Sequence, residues 1–349
     1  MQNDLTDALQ EQVRRAASAR CALDIRGGGS QPQPGNPVTG EPIDLTGHTG
    51  VIDYAPEELV ITVRSGTRLD TLNALLAGHG QMLAFEPPVF AASSTIGGAI
   101  ACNRSGPSRP WTGAARDFML GCEILDGHGE RLHFGGQVMK NVAGYDVSRL
   151  MCGAFGTLGI LLSVSLKVLP APAESVTLVR PCTAAEAIET MNRLSGRSIP
   201  LSGTVWLNDQ LWLRLSGSPE SVRHASSQLG EYDRGPDIWN DIARQQHPFF
   251  QQPGPLWRVS LTPTAAMPDL PGHWLIDWAG GLRWLISPAS HADIRHAVAL
   301  AGGHAQRWRD GNGSVFQPLP ASMLALHRRL KHTFDPLGIL NPGRLYPEL

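Results

Sequence analysis

Ile25-Arg26-Gly27-Gly28-Gly29-Ser30-Gln31 is the stretch that decides how this chain is read. It follows a short apolar run (Ala22, Leu23, Ile25) and precedes a loop broken by prolines from Pro32 to Pro42. Three successive glycines let consecutive backbone N–H groups turn toward one small volume, a nest for an anion such as a diphosphate. A plain turn accounts for a glycine triplet equally well. Two further clusters in the same half of the chain, Ser94-Thr95-Ile96-Gly97-Gly98-Ala99 and Gly153-Ala154-Phe155-Gly156-Thr157-Leu158-Gly159, tip the reading toward a large, phosphate-bearing cofactor. On this reading an aspartate at Gly28 places a carboxylate in the nest and abolishes retention of that cofactor.

The totals narrow the class. A chain of 349 residues suits two domains, or one large and one small. A hydrophobic content of 42% excludes wholesale disorder, and 38 glycines with 27 prolines imply many tight turns rather than a helical bundle. A formal net charge of −2 leaves no basic footprint, so nucleic acid is not expected as a partner. No apolar run approaches the roughly 18 residues needed to span a bilayer. The first residues carry charges throughout and lack a secretion signal's apolar core; Leu5, Leu9, Val13, Ala16 and Ala17 instead mark one face of a surface helix. Five scattered cysteines (Cys21, Cys102, Cys122, Cys152, Cys182) form no Cys-x-x-Cys pair. Neither a zinc ribbon nor a cysteine-held iron–sulfur cluster is therefore encoded, and the expectation is a reduced, cytoplasmic protein.

Along the chain, Leu59-Val60-Ile61-Thr62-Val63 reads as a strand, and Thr67 with Asp70 resembles a capping box opening a helix through Leu76. Met82 to Phe85 reads as the next strand. Leu120 to Leu125 and Arg131 to Phe134 read as a hairpin, and 159–169 as a long strand stopped by Pro170. Beyond Pro172 the composition changes, with eight of the nine tryptophans between Trp206 and Trp308. Asn208-Asp209 signals one hairpin and Gly280-Gly281 another, alternating with helical patterns at 183–194, 219–229 and 290–301. That pattern predicts an antiparallel sheet covered on one face by helices. Residues 234–255 look irregular. Tryptophan is enriched at interface hot spots, so part of this region is a candidate surface for partners, with core packing the alternative.

The order of Arg26-Gly27-Gly28-Gly29-Ser30, Ser94-Thr95-Ile96-Gly97-Gly98, Lys140-Asn141-Val142-Ala143-Gly144-Tyr145-Asp146, Gly156-Thr157-Leu158-Gly159 and Leu340-Asn341-Pro342-Gly343 resembles the FAD-binding oxidoreductases of the vanillyl-alcohol oxidase type, the PCMH fold. Within them it is similar to the E-type FAD-binding subunits of heteromeric glycolate oxidases. The resemblance implies an α+β fold: a two-subdomain PCMH-type FAD-binding domain over residues 1–172 (subdomains about 1–52 and 53–172). An antiparallel-sheet α+β cap over 173–310 follows, with a C-terminal segment, 311–349, packing back on the FAD domain. It further implies that Arg26, Gly27, Gly28, Gly29, Ser30 and Gln31 cradle the FAD diphosphate through backbone amides. Thr95, Gly97 and Gly98 would let backbone approach diphosphate and ring, and Asn103 and Gly106 would lie near the isoalloxazine edge. Lys140 and Tyr145 would touch flavin or loop, and Gly156, Gly159 and Ile160 would close over the adenosine end. Pro88 and Asn341 complete the implied cofactor-binding set.

Relatives that tether FAD through this loop carry a His after the glycines. Ser30 and Gln31 stand here, so non-covalent FAD is expected, and Cys102 reads as a small buried apolar residue. Hydroxyacid oxidation needs a base for the hydroxyl proton, a cation for the carboxylate and a Cα hydrogen facing the flavin. In the larger flavin subunits a His-rich motif, HxGDGNxH, supplies metal and base. Here Arg309-Asp310-Gly311-Asn312-Gly313-Ser314 lacks its histidines, so no metal site and no catalytic residue is assigned. His291 and His296, like His327 and His332, are five apart and point to different helix faces. Arg283, Arg307, Arg309 and Arg344 are candidates for holding a carboxylate. The implied partners are a flavin subunit (D), an iron–sulfur subunit (F) and a small 2-hydroxyacid such as glycolate. Membrane contact would be peripheral at most, on the inner membrane through partner subunits. The alternatives are a self-sufficient FAD-dependent oxidase of a small hydroxyacid or sugar lactone, and a flavin-carrying structural subunit without catalysis of its own.

Overall fold

The computed structural model describes residues 2–33, 35–136, 146–310 and 313–349, and the chain divides into two compact units. The first comprises 1–105, 113–170 and 318–349; the second comprises 106–112 and 171–317. The fold is α+β with antiparallel sheets, as the resemblance implies.

The first unit opens with the helix Thr6–Ala19, which buries Leu9, Val13 and Ala16 at helical spacing and stops at Arg20 in the left-handed conformation. The strand Leu23–Arg26 then pairs in parallel with Glu41–Asp44. Five antiparallel strands follow as neighbours in the order Val51–Ala55, Val60–Arg64, Ile160–Lys167, Met119–Leu125 and Arg131–Gly135. The central strand is buried at seven of its eight residues because both faces are covered. Ile160 and Leu162 join Leu9, Val13, Leu23 and Leu340 in one cluster, whereas Leu161 and Leu166 join Leu72, Leu76, Phe85 and Ile100 in another.

Two local expectations are corrected here. The helix Leu69–Gly78 has Arg68 at its N-cap and no side-chain cap bond, because the Thr67 hydroxyl accepts the Gly50 N–H (3.0 Å) instead. The strand expected over 82–85 shrinks to Gln81–Met82, pairing with Leu169–Pro170, since Leu83, Ala84 and Phe85 turn inward to pack.

The second unit is built on an eight-stranded antiparallel sheet. The helices Ala184–Ser195 and Pro219–Gln228 cover one face, burying Ala187, Ile188, Met191 and Leu194 from the first and Val222 and Ala225 from the second. Burial of each large aliphatic side chain among these stabilises by about 1.5–3 kcal/mol. Thr183 and Glu186 form a reciprocal capping box on the first of these helices. Asn208 and Asp209 both adopt positive φ (50° and 54°) in the hairpin between Leu201–Leu207 and Gln210–Gly217, as a two-residue turn requires. The stretch expected to be irregular holds two short helices, Trp239–Ala243 and Pro248–Gln251, whose Trp239, Phe249 and Phe250 plug the opposite face of the sheet. Five of the nine tryptophans are buried and the other four, Trp111, Trp206, Trp212 and Trp274, are half-buried, so core packing accounts for most of them.

Candidate cofactor-binding site

A cleft of about 280 Å³ in the first unit is lined by all three glycine segments. Its first wall is the chain leaving the strand Leu23–Arg26. Among the described residues, no protein group accepts a hydrogen bond from the backbone N–H groups of Gly27, Gly28, Gly29, Ser30 or Gln31. Five consecutive donors without partners along a cleft make a strong site for an anion. Gly28 has no room for a side chain, because a Cβ there would fall 1.5 Å from the Ser93 carbonyl oxygen. An aspartate at Gly28 would thus break the loop's packing rather than enter the nest, which corrects the rationale given from sequence. Gly29, at φ +61°, faces open space.

The second wall is the short helix Ile96–Ala101. Thr95 caps it by accepting the Gly98 N–H at Oγ1 (3.2 Å), and the Gly97 N–H donates to the Ser65 carbonyl (2.8 Å). A Cβ on Gly97 would lie 2.6 Å from the Ser65 Cβ, so only glycine lets these two backbones meet. The Ser65 hydroxyl itself lines the cleft region, buried and with no hydrogen-bond partner. Leaving such a group unsatisfied costs about 1–3 kcal/mol.

The third wall, residues 154–159, is held by side chains from the C-terminal segment. Asn341 accepts the Ile25 N–H (2.8 Å) and donates to the Phe155 carbonyl (2.7 Å), joining the first wall to the third. Lys331, buried on the helix Ala321–Phe334, donates to the Thr157 carbonyl (2.9 Å), the Leu340 carbonyl (2.6 Å) and Asp335 (2.6 Å). Asp335 in turn accepts the N–H groups of Ile339 and Leu340.

Charge in the cleft favours an anion. Buried Asp24 bridges Arg26 (2.7 Å) and Arg344 (2.5 Å), leaving two guanidiniums to one carboxylate beside the glycine loop. Buried Arg104 braces the same loop through Gln31 (3.0 Å) and the Gln33 carbonyl (2.7 Å). Burial pushes the Cys102 thiol above its ordinary pKa, keeping it protonated and unsuited to nucleophilic attachment. The Ser30 hydroxyl accepts a bond from Ser94 (2.8 Å).

Of the residues expected from sequence, Arg26, Gly27, Gly28, Gly29, Ser30, Gln31, Thr95, Gly97, Gly98, Gly156, Gly159 and Asn341 meet in this cleft. Buried Pro88 and Ile160 lie outside its lining; Ile160 is committed to its strand ladder opposite Leu125 and to the core. Asn103 also lies outside the lining, at φ +49°, with its amide oxygen buried and unpartnered. Gly106 belongs to the second unit, where its carbonyl accepts the Trp278 indole N–H (2.9 Å). Lys140 and Tyr145 lie outside the described residues. Ser65, Lys331 and Asp335 had not been expected at the site. Nothing around Ser65 distinguishes it in sequence, and Lys331 reads as one more cation beside Arg328 and Arg329.

Three of the four candidate carboxylate-binding arginines are engaged elsewhere. Arg283 is fully buried and donates to the carbonyls of Gly280, Ala266 and Ala265; burial lowers its pKa to about 10. Arg307 and Arg309 brace backbone carbonyls at Asp310, Gly313, Phe250 and Gln252. Only Arg344 lines the cleft. Among the described residues no group of His, Cys, Asp or Glu could hold a metal ion.

The FAD binding domain family model matches residues 4–135. The chain is 47% identical over 346 residues to glycolate oxidase subunit GlcE of Escherichia coli, with 99% of each chain covered. It is 32% identical over 177 residues to glycolate oxidase subunit GlcD of Bacillus subtilis, covering 50% of this chain and 37% of that one. Its fold is shared with alkyldihydroxyacetonephosphate synthase at a TM-score of 0.68 and 15% identity, over 96% of this chain and 74% of that one. The cleft fits FAD, because the row of N–H groups without a partner among the described residues suits a diphosphate and the buried Ser65 hydroxyl, likewise without a partner there, suits a bound polar group. The chain belongs to the GlcE family of glycolate oxidase subunits, within the FAD-binding oxidoreductases.

Proposed function

We propose that this chain is the non-covalent FAD-binding subunit of a heteromeric glycolate (2-hydroxyacid) oxidase or dehydrogenase. In it electrons removed in forming glyoxylate pass to a partner iron–sulfur subunit. The observation that carries the reading is the row of five backbone N–H groups from Gly27 to Gln31, without a protein acceptor among the described residues, in the lining of a cleft that Arg26 and Arg344 also line. FAD bound there would supply the two-electron acceptor for hydroxyacid oxidation. The backbone of 27–31 would hold the diphosphate, and Arg26 and Arg344 would offset its charge. Asn341 and Lys331 would keep the third wall in register with the first.

The departure of Arg309-Asp310-Gly311-Asn312-Gly313-Ser314 from the HxGDGNxH pattern of the larger flavin subunits favours placing the oxidation chemistry on the sister flavin subunit, with this chain carrying a second flavin. The test is an absorbance spectrum of the purified chain before and after anaerobic glycolate, alone and with D- and F-type subunits. The expected result is a yellow chain that stays oxidised alone and bleaches only in the complex. Bleaching of the isolated chain would make it a self-sufficient dehydrogenase and overturn the division of labour.

A further inference from the structure

We propose that Arg104, which lies outside the lining of the cleft, is the positioning residue that sets the last donors of the glycine loop for FAD; this rests on the cleft holding FAD. Its backbone continues the second wall, where its N–H donates to the Ala99 carbonyl (2.9 Å) just past the helix Ile96–Ala101. Its buried guanidinium reaches across to the first wall. There Nε donates to the Gln31 side-chain oxygen (3.0 Å) and Nη2 to the Gln33 backbone carbonyl (2.7 Å). The guanidinium carbon also sits 5.9 Å from the centre of the Phe155 ring on the third wall, within reach of a cation–π contact. One side chain therefore links all three walls.

The two acceptors flank Pro32. Proline fixes φ near −65°, so the chain between Gln31 and Gln33 keeps little freedom once both ends are held. Gln33 is itself buried, and its side-chain oxygen accepts the Gly35 N–H (3.1 Å). Holding Gln31 and Gln33 thus fixes the direction in which the chain leaves the nest, and with it the direction of the Gln31 N–H. A nest binds an anion only while its N–H groups converge, and a hydrogen bond weakens steeply as its donor turns away. Losing the brace therefore costs affinity although Arg104 does not touch the ligand. The geometry also calls for arginine. Two donors at the fixed angle of a planar fork meet both oxygens at once, whereas an ammonium is a single point donor on a flexible stem.

The experiment titrates FAD into the flavin-free full chain by calorimetry. Wild type is compared with Arg104→Met, Arg104→Lys, Gln31→Ala and Arg104→Met/Gln31→Ala, and the thermal midpoint of each flavin-free protein is measured alongside. Gln31 is half-buried, and its alanine variant keeps both the backbone donor and the Arg104 charge. The expected result for Gln31→Ala is a loss of about tenfold in affinity, about 1.4 kcal/mol, with melting within a few degrees of wild type. Arg104→Met should lose about thirtyfold and Arg104→Lys less. The double variant should lose no more than Arg104→Met, because both substitutions break the same link. Gln31→Ala binding FAD as wild type does would overturn the positioning role. Losses that add in the double variant would overturn it too, since independent effects mean that Arg104 does not act through Gln31. If Arg104→Met does not fold, Arg104→Lys combined with Gln31→Ala supplies the same comparison. A wild-type chain that binds no FAD would overturn the cleft assignment and this role together, whereas variants indistinguishable from a FAD-binding wild type would overturn this role alone.

Discussion

At the residue scale, the glycines of the first loop differ in what they tolerate. Gly28 packs against the Ser93 carbonyl, so Gly28→Ala should destabilise the fold by about 3 kcal/mol or more and say little about the cofactor. Gly29 is the informative position. Its Cβ direction is open, and aspartate accepts positive φ more readily than most residues. Gly29→Asp should leave the thermal midpoint of the cofactor-free chain within a few degrees while weakening FAD binding by about a hundredfold or more, a loss of about 3 kcal/mol. Unchanged affinity in a calorimetric titration would sink the assignment of this loop. Sequence exposed the triplet because glycine is rare enough in threes to stand out. It could not distinguish Gly28 from Gly29, because that difference lies in where residue 93 comes to rest. Ser65 was illegible for a related reason: a serine becomes notable only when its hydroxyl is seen to lack a partner.

At the element scale, the C-terminal segment acts as a strap across the cleft. Leu23 donates its N–H to the Ile339 carbonyl (2.7 Å) and accepts that of Asn341 (3.1 Å), so 339–341 runs beside the first strand. Lys331→Met removes one member of a buried ion pair and should cost about 3–5 kcal/mol, with Lys331→Met/Asp335→Asn less unstable than the single variant. Urea denaturation of both proteins measures this; a single variant within 1 kcal/mol of wild type, roughly the range of a surface pair, would contradict the strap. The first helix carries a separate dependence on pH. His48 is almost wholly buried and accepts the Leu5 N–H at Nδ1 (3.0 Å), which requires a neutral ring. Burial lowers its pKa below the usual imidazole value of 6.5, outweighing the pull of Asp4. Because the unfolded chain then binds the proton more readily, this contribution is complete above about pH 6.5 and fades as pH falls. Thermal unfolding of wild type and His48→Gln at pH 7.5 and 5.5 should show a gap that narrows on acidification. A gap that widens would contradict it. Periodicity made this helix legible in Leu9, Val13 and Ala16, whereas its tie to His48 depends on contacts 43 residues apart.

At the scale of the whole molecule, an α+β chain with an antiparallel sheet in its second half could be read from hairpin signals such as Asn208-Asp209 and from helical spacing in 183–194. Those are local patterns, fixed by turn geometry and burial. The lining of the cleft is a long-range property. Ile25, Phe155 and Asn341 share two hydrogen bonds across more than 300 residues of chain, and ordered motifs hinted at that meeting without locating it. If the cleft holds FAD, ligand binding must raise the stability of the folded chain in proportion to the logarithm of free FAD over Kd, by about 2.7 kcal/mol at a hundredfold excess. The most direct test is therefore a titration of the purified, flavin-free chain with FAD, followed by flavin fluorescence and by the melting temperature together. Saturation at one FAD per chain, a melting temperature that rises with FAD, and full release of flavin on denaturation are expected. A chain that neither quenches flavin fluorescence nor melts higher with FAD, or one that retains flavin after denaturation, would contradict a non-covalent FAD cleft built from these three glycine segments.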